Sequence, residues 1–181
     1  MIILASASET RAKILKEAKI EFVQKSCDFD EDSLPYKKPE HFVYHAAIGK
    51  MRACEEKFGL DTPLLTADTV VESGGEILRK AKDREDAKRI LLLQSGKEVS
   101  ILTCTVYKSK KLSFIDLSAT VYFFDPFDKD DLKRYLDSNE WMGKAGACMV
   151  EGFCKKYIRE VRGFESCARG LTIERLIPFL D

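Results

Sequence analysis

An α/β fold around one substantial core is what this 181-residue chain predicts. Short apolar runs such as Ile2-Ile3-Leu4 and Leu64 through Val71 have the make-up of buried strands. They alternate with segments whose apolar residues recur at helical spacing. No internal repeat, low-complexity stretch or linker interrupts the chain. Residues 1–181 are therefore expected to form a single domain, with room for two lobes around a cleft.

Taken in order, Ile2 to Ala5 read as a short buried strand that turns sharply into hydroxyls and an arginine. Ser6 and Glu9 have the spacing of a helix capping box. Ala12, Ile14, Leu15 and Ala18 then share one side of a helix, and residues 20–27 can return as a strand. The stretch from Asp28 to Lys38, acidic and then basic, reads as a loop. Pro39 starts a helix through about residue 57, striped by Phe42, Val43, Ala46, Ala47 and Ala53. Gly59 and Pro63 break the chain before the strand at Leu64, and Glu72-Ser73-Gly74-Gly75-Glu76 is a turn leading into Ile77 and Leu78. Asp83 caps a helix that stops near Gly96, and two longer strands follow at 98–107 and 112–124. Phe127 and Leu132 staple a helix through about Leu136. Trp141 to Gly146 is too rich in glycine for regular helix, and Trp141 could line a pocket or cover the core. Two strands before Gly163 and a short helix between Leu171 and Leu180, limited by Pro178, complete the reading.

Thirty basic residues balance thirty acidic ones with no long run of either sign, which argues against a general grip on nucleic acid. The opening residues lack a basic leader, and no apolar run reaches membrane-spanning length, so no membrane association and a cytoplasmic location are expected. Cys27, Cys54, Cys104, Cys148, Cys154 and Cys167 are scattered without the paired spacing of a zinc site. They read as reduced, partly buried thiols.

Several residue types point to phosphate chemistry. A helix start beside Ser8, Thr10 and Arg11 exposes backbone N–H groups that can hold a phosphate. Asp68, after an apolar run and before Thr69-Val70-Val71, could face metal or water near a strand end. An Asp that merely satisfies nearby backbone has at least equal claim. Asp28, Asp30, Glu31 and Asp32 supply hard oxygen ligands of the kind magnesium takes together with substrate phosphates. Lys50, Arg79, Lys80, Lys82 and Lys144 could offset the charge of a triphosphate, with Lys144 set in a permissive glycine-flanked loop that is not a Walker A sequence. His41 and His45, four residues apart on a helix, lack the intervening glutamate of a metalloprotease.

In order, Leu4-Ala5-Ser6-Ala7-Ser8, Arg11, Ala67-Asp68-Thr69-Val70-Val71, Lys80, Ser95-Gly96-Lys97 and Lys144-Ala145-Gly146 resemble the Maf, or septum-formation-protein, family of nucleoside triphosphate pyrophosphatases. The resemblance spans Ile3 to Leu171. It implies an elongated α/β domain with a bent mixed sheet and two lobes around a central cleft, like that of inosine triphosphate pyrophosphatase. It also implies cleavage of nucleoside triphosphates to a nucleoside monophosphate and pyrophosphate with Mg2+ or Mn2+. On this resemblance Asp68, Lys50, Lys80 and Glu31 are catalytic, and Glu31 and Asp68 hold the metal. Ser6, Ser8, Arg11, Thr69, Lys144 and Glu151 bind substrate.

This chain departs from the family pattern at several positions. Ser8-Glu9-Thr10-Arg11 stands for the usual Ser-Pro-Arg-Arg, and Arg79-Lys80-Ala81 for Gly-Lys-Pro. Val99 replaces a common histidine, Gly143 an aspartate, Cys148 a tyrosine and Glu151 a glutamine. The implied substrates are dTTP or UTP, or a modified nucleotide. A catalytically weak nucleotide-binding regulator linked to cell division is the alternative, and an RNA-binding or structural role is a third. A homodimer is compatible with the resemblance, whereas no stable nucleic-acid partner is expected.

Overall fold

A computed structural model describes residues 1–148 and 150–180. It contains a seven-stranded mixed sheet and six α-helices among those residues, in accord with the α/β expectation. The strands are β1 (Ile2–Leu4), β2 (Phe22–Gln24), β3 (Leu64–Ser73), β4 (Glu76–Leu78), β5 (Glu98–Lys108), β6 (Ser113–Phe124) and β7 (Ile158–Arg162). The helices are α1 (Glu9–Glu17), α2 (Pro39–Phe58), α3 (Arg84–Gln94), α4 (Lys129–Ser138), α5 (Glu165–Ala168) and α6 (Ile173–Leu176). Strand order is β2-β1-β3-β5-β6-β7, with β4 paired to β3. β1 lies parallel to both β2 and β3, whereas β4 and β7 pair antiparallel with β3 and β6.

The chain forms two compact units. The first comprises residues 1–69, 102–119 and 164–181, and the second residues 70–101 and 120–163. In the first, Leu4, Leu15, Leu65, Tyr107, Leu171 and Leu176 belong to one buried cluster that joins β1, α1, β3, β5 and the C-terminal helices. In the second, an aromatic group fills the interior. Tyr135 stacks on Phe153 at 4.4 Å between ring centroids, and Phe127 lies 4.9 Å from Tyr157 and 5.6 Å from Phe124.

Local chemistry sets most boundaries. Asp83 accepts from the Asp86 backbone N–H at 2.8 Å and starts α3, and Asp128 accepts from Asp130 and Asp131 at 3.0 Å and starts α4. Asn139 ends α4 in the left-handed conformation. Four expectations change. The cap of α1 is Ser8, since its Oγ accepts from the Arg11 backbone N–H at 3.3 Å, while Ser6 Oγ is engaged by the Arg11 side chain. Of the two strands expected before Gly163, one forms, and Phe153–Tyr157 takes a 3-10 turn that buries Cys154 and Tyr157. Trp141 is buried and donates its indole N–H to Leu136 O at 3.0 Å, so it belongs to the core and not to a pocket wall.

The fourth change concerns the cysteines. Cys27 is joined to Cys54 and Cys148 to Cys154 by disulfides, while Cys104 and Cys167 are free and buried. Folding brings the Cα atoms of Cys27 and Cys54 to 5.6 Å across 27 positions of sequence, a proximity that spacing alone does not reveal. Burial pushes the Cys104 thiol up to about 12, which keeps it protonated and unreactive. No helix among the described residues is long and apolar enough to cross a membrane.

Candidate active site

Two hydrogen-bonded groups meet where β1 stops and β3 continues. β1 pairs with β3 only as far as Leu65, and the Ala5 N–H still reaches Leu65 O at 2.8 Å. Beyond that point β1 gives way to the turn at Ala5–Ser8. Asp68 was expected near a strand end, but it sits in the middle of the ten-residue β3. It nevertheless lies past the carboxyl edge of its neighbour β1, where parallel strands commonly leave room for a ligand.

The register of α2 on β3 brings a lysine to this aspartate. Thr66 Oγ1 donates to Ala47 O at 3.1 Å. Thr66 and Asp68 share one face of the strand, and Ala47 and Lys50 are one helical turn apart. That anchor sets Lys50 Nζ 2.6 Å from Asp68 Oδ1 and 2.5 Å from Glu31 Oε1, the latter on a 3-10 turn over Glu31–Ser33. The ammonium thus bridges the two carboxylates. Asp68 is 4% exposed, and its Oδ2 is buried with no hydrogen-bond partner. Burial raises the Asp68 carboxyl above its ordinary value, and the attraction of Lys50 opposes the shift without cancelling it.

Arg11 forms the second group. Its Nε donates to Gly170 O at 2.7 Å, Nη1 to Ser6 Oγ at 3.0 Å and Nη2 to Thr69 Oγ1 at 3.1 Å. Thr103 donates to Cys167 O at 2.8 Å, which uses its only hydroxyl proton, so in the 2.9 Å contact between the threonines Thr69 is the donor. Each hydroxyl therefore has an assigned direction, running from the guanidinium through Thr69 and Thr103 to the Cys167 carbonyl. A guanidinium has five N–H donors, so this anchoring leaves two for a ligand. Burial lowers the pKa of Arg11, while Asp68 and Glu31 act to raise it. Gly170 has φ +100°, and a Cβ there would come within 3.2 Å of Thr69 Oγ1 and 3.3 Å of Arg11 Nε. The glycine is required both for its backbone and for this close approach.

The first unit therefore holds Ser6, Ser8, Arg11, Glu31, Lys50, Asp68 and Thr69, and it joins them in two networks. Lys80, Lys144 and Glu151 belong to the second unit and are exposed. Lys80 forms an isolated antiparallel bridge to Ala145, and Gly146 N donates to Arg79 O at 3.2 Å, so the segment after β4 and the Lys144 loop are neighbours. Gln94 Nε2 holds that loop from beneath through Gly146 O at 2.6 Å. His41 and His45 pack around Tyr36, with His45 stacked on its ring at 4.0 Å. Thr103 and Gly170 were not legible as site residues, although a glycine closing a short helix near an arginine is a weak sign of such a role.

The donor set suits a hard divalent cation. Among the described residues no group of three or more His, Cys, Asp or Glu could hold a metal, and the carboxylates that Lys50 brings together are the pair Glu31 and Asp68. Magnesium commonly binds through one or two carboxylates and completes its shell with water and substrate phosphate. The unpartnered Asp68 Oδ2 is a hard oxygen in need of such a partner, since a buried orphan acceptor is costly.

A family model described as "Maf-like protein" matches residues 1–181. A nucleoside triphosphate pyrophosphatase of a Nitratiruptor species is 59% identical over 178 residues, covering 97% of this chain and 96% of that protein. One from Helicobacter pylori (strain Shi470) is 38% identical over 179 residues, covering 99% and 94%. One from Campylobacter jejuni subsp. jejuni serotype O:23/36 (strain 81-176) is 38% identical over 183 residues, covering 99% and 100%.

Proposed function

The chain belongs to the Maf-like family, and on that footing we propose that it hydrolyses nucleoside triphosphates to a nucleoside monophosphate and pyrophosphate. The observation that carries the reading furthest is the Glu31–Lys50–Asp68 cluster, in which a buried carboxylate keeps one oxygen without a partner. In the reaction a water oxygen bonds to the α-phosphorus, and the bridging oxygen leaves with the pyrophosphate and its electron pair. One water proton is released. Asp68 orients that water and accepts its proton. A carboxyl whose pKa is raised by burial is a stronger base than an exposed aspartate and better matched to neutral pH.

The positive groups act on the phosphates. Arg11, held by Gly170, Ser6 and Thr69, presents its remaining N–H donors in a fixed plane, a geometry that suits phosphate oxygens. The α1 N-terminus adds backbone N–H groups beside Ser8. Lys50 offsets negative charge as the leaving group departs, and on the family resemblance Lys80 is assigned to the same task and Lys144 to binding the substrate. Glu31 and Asp68 would hold a Mg2+ or Mn2+ ion, which supplies charge neutralisation and polarises a phosphoryl oxygen when bound. Glu151 is assigned to the substrate, where a carboxylate accepts hydrogen bonds and lacks the N–H donors of a glutamine. A pyrimidine triphosphate, dTTP or UTP, or a modified nucleotide is the substrate we assign.

The test is separation of products from a panel of ordinary and modified triphosphates with either metal. Equimolar monophosphate and pyrophosphate is the expected result. Asp68→Asn should lower the rate by about 10²–10⁴-fold, the range for loss of a general base. Release of orthophosphate and a diphosphate instead, or an unchanged rate in the variant, would overturn the reading.

A further inference from the structure

The segment Cys27–Tyr36 crosses α2 as a strap. Cys27 is bonded to Cys54, Phe29 lies over Gly49, Glu31 pairs with Lys50 at 2.5 Å, and Tyr36 stacks on His45 at 4.0 Å. The strap's contacts run from Cys54 at one end, through Gly49 and Lys50, to His45 at the other, so its position is set at several points. Gly49 is the unusual one. It lies inside a 20-residue helix and is not among the positive-φ glycines, so its backbone conformation suits any residue. A glycine there costs about 1 kcal/mol relative to alanine. What Gly49 supplies is space. A Cβ at this position would collide with Cζ and Cε2 of Phe29 and lie 2.8 Å from Cε1.

We propose that Phe29 seated on Gly49 is the positioning device that sets Glu31 against Lys50, and so fixes the acidic side of the site for its divalent cation. The proposal rests on the pyrophosphatase reading. Phe29 precedes Glu31 by two residues on the strap, and Gly49 precedes Lys50 by one on the helix. The ring-to-helix contact therefore sets the carboxylate-to-ammonium distance directly. Neither Phe29 nor Gly49 touches the reacting atoms. A groove of about 450 Å3, lined by Leu34, Pro35, Tyr36, His45 and Arg52 among others, flanks the ring. Phe29 displaced from Gly49 can move into that groove, so added bulk at Gly49 shifts the strap and leaves the core of the first unit in place.

Three variants of the full chain test this: Gly49→Ala, Phe29→Leu/Gly49→Ala, and Gly49→Ala placed in Glu31→Gln. Gly49→Ala should raise the Mn2+ concentration for half-maximal turnover by about tenfold, the lower end of what outer positioning groups cost a metal site. The KM for the triphosphate should change much less. The double variant, in which a shorter side chain makes room for the new methyl group, should recover most of the loss. With Glu31→Gln, Gly49→Ala should add nothing, because the two act through one carboxylate.

Two readouts do not depend on turnover. Backbone amides of residues 28–34 should exchange faster in Gly49→Ala and slow again in the double variant, and Mn2+ binding without nucleotide should weaken in parallel. A wild type that binds Mn2+ but releases no monophosphate would sink the pyrophosphatase reading and leave these measurements to decide the strap. Wild-type metal dependence and exchange in Gly49→Ala would overturn the proposal, as would a loss that persists in the double variant or adds to that of Glu31→Gln. Should Gly49→Ala fail to fold, Phe29→Leu alone decides. It removes the ring from the glycine and should raise the Mn2+ requirement in the same direction, whereas an unchanged requirement overturns the proposal.

Discussion

Asp68 is a residue whose useful property and whose cost have the same origin. Burial makes its carboxyl a better base and leaves Oδ2 without a partner. The folded protein holds the Asp68 proton more tightly than the unfolded chain does, because the folded pKa lies above the ordinary 3.8. The stability contribution is therefore fully present below that ordinary value and is lost as pH rises through the folded one. Asparagine does not titrate. The melting temperature of Asp68→Asn minus that of wild type should thus grow as pH rises from the ordinary 3.8 through the raised folded value. Thermal melts across that range check the sign, and a difference that shrinks as pH rises would refute it. At this scale the sequence was informative about identity and poor about surroundings. The motif around Asp68 is plain in the chain, but its surroundings are not: Lys50 pairs with its carboxylate, and Glu31 pairs with that same lysine from a distant loop.

At the scale of elements, β5 and α5 support α1 through the Thr103 hydroxyl. Thr103→Val keeps shape and volume but removes the donor to Cys167 O and the acceptor for Thr69. The Thr69 hydroxyl then loses the acceptor for its proton, while Cys167 O keeps the Gly170 N–H at 2.9 Å, and the change should cost about 1–3 kcal/mol in chemical denaturation. Turnover should fall as Arg11 loses its fixed orientation, and full stability in the variant would show that the hydroxyl chain contributes nothing. Element boundaries were legible wherever one side chain acts on its own neighbours. Asp83 as a cap and Pro39 as a helix start are of this kind. Ser6 and Ser8 were not separable in this way. Both fit a cap, and the choice turned on which hydroxyl the Arg11 side chain occupied. The extra strand expected before Gly163 failed for a similar reason. Phe153 and Tyr157 were drawn into the aromatic packing with Phe127 and Tyr135, which favoured a 3-10 turn.

For the whole molecule, thirty basic and thirty acidic residues leave no net charge with which to draw a polyanion from a distance. A labelled single-stranded oligonucleotide should therefore show no saturable binding at about 0.15 M salt, while free triphosphate still binds. Fluorescence anisotropy with nucleotide competition checks this, and tight binding that free nucleotide fails to displace would refute it. The chain by itself determined the α/β class, the Asp83 cap, and the order of motifs that marks its family, because each depends on neighbours within a few residues or on a pattern retained along the sequence. Tertiary structure alone decided that Gly170 would hold Arg11 across 159 positions, that Lys50 would bridge Glu31 and Asp68, and that Cys27 would meet Cys54. These are contacts between distant segments. Their geometry comes from strand pairing and from the packing of α2 on β3, which no local pattern of residues encodes.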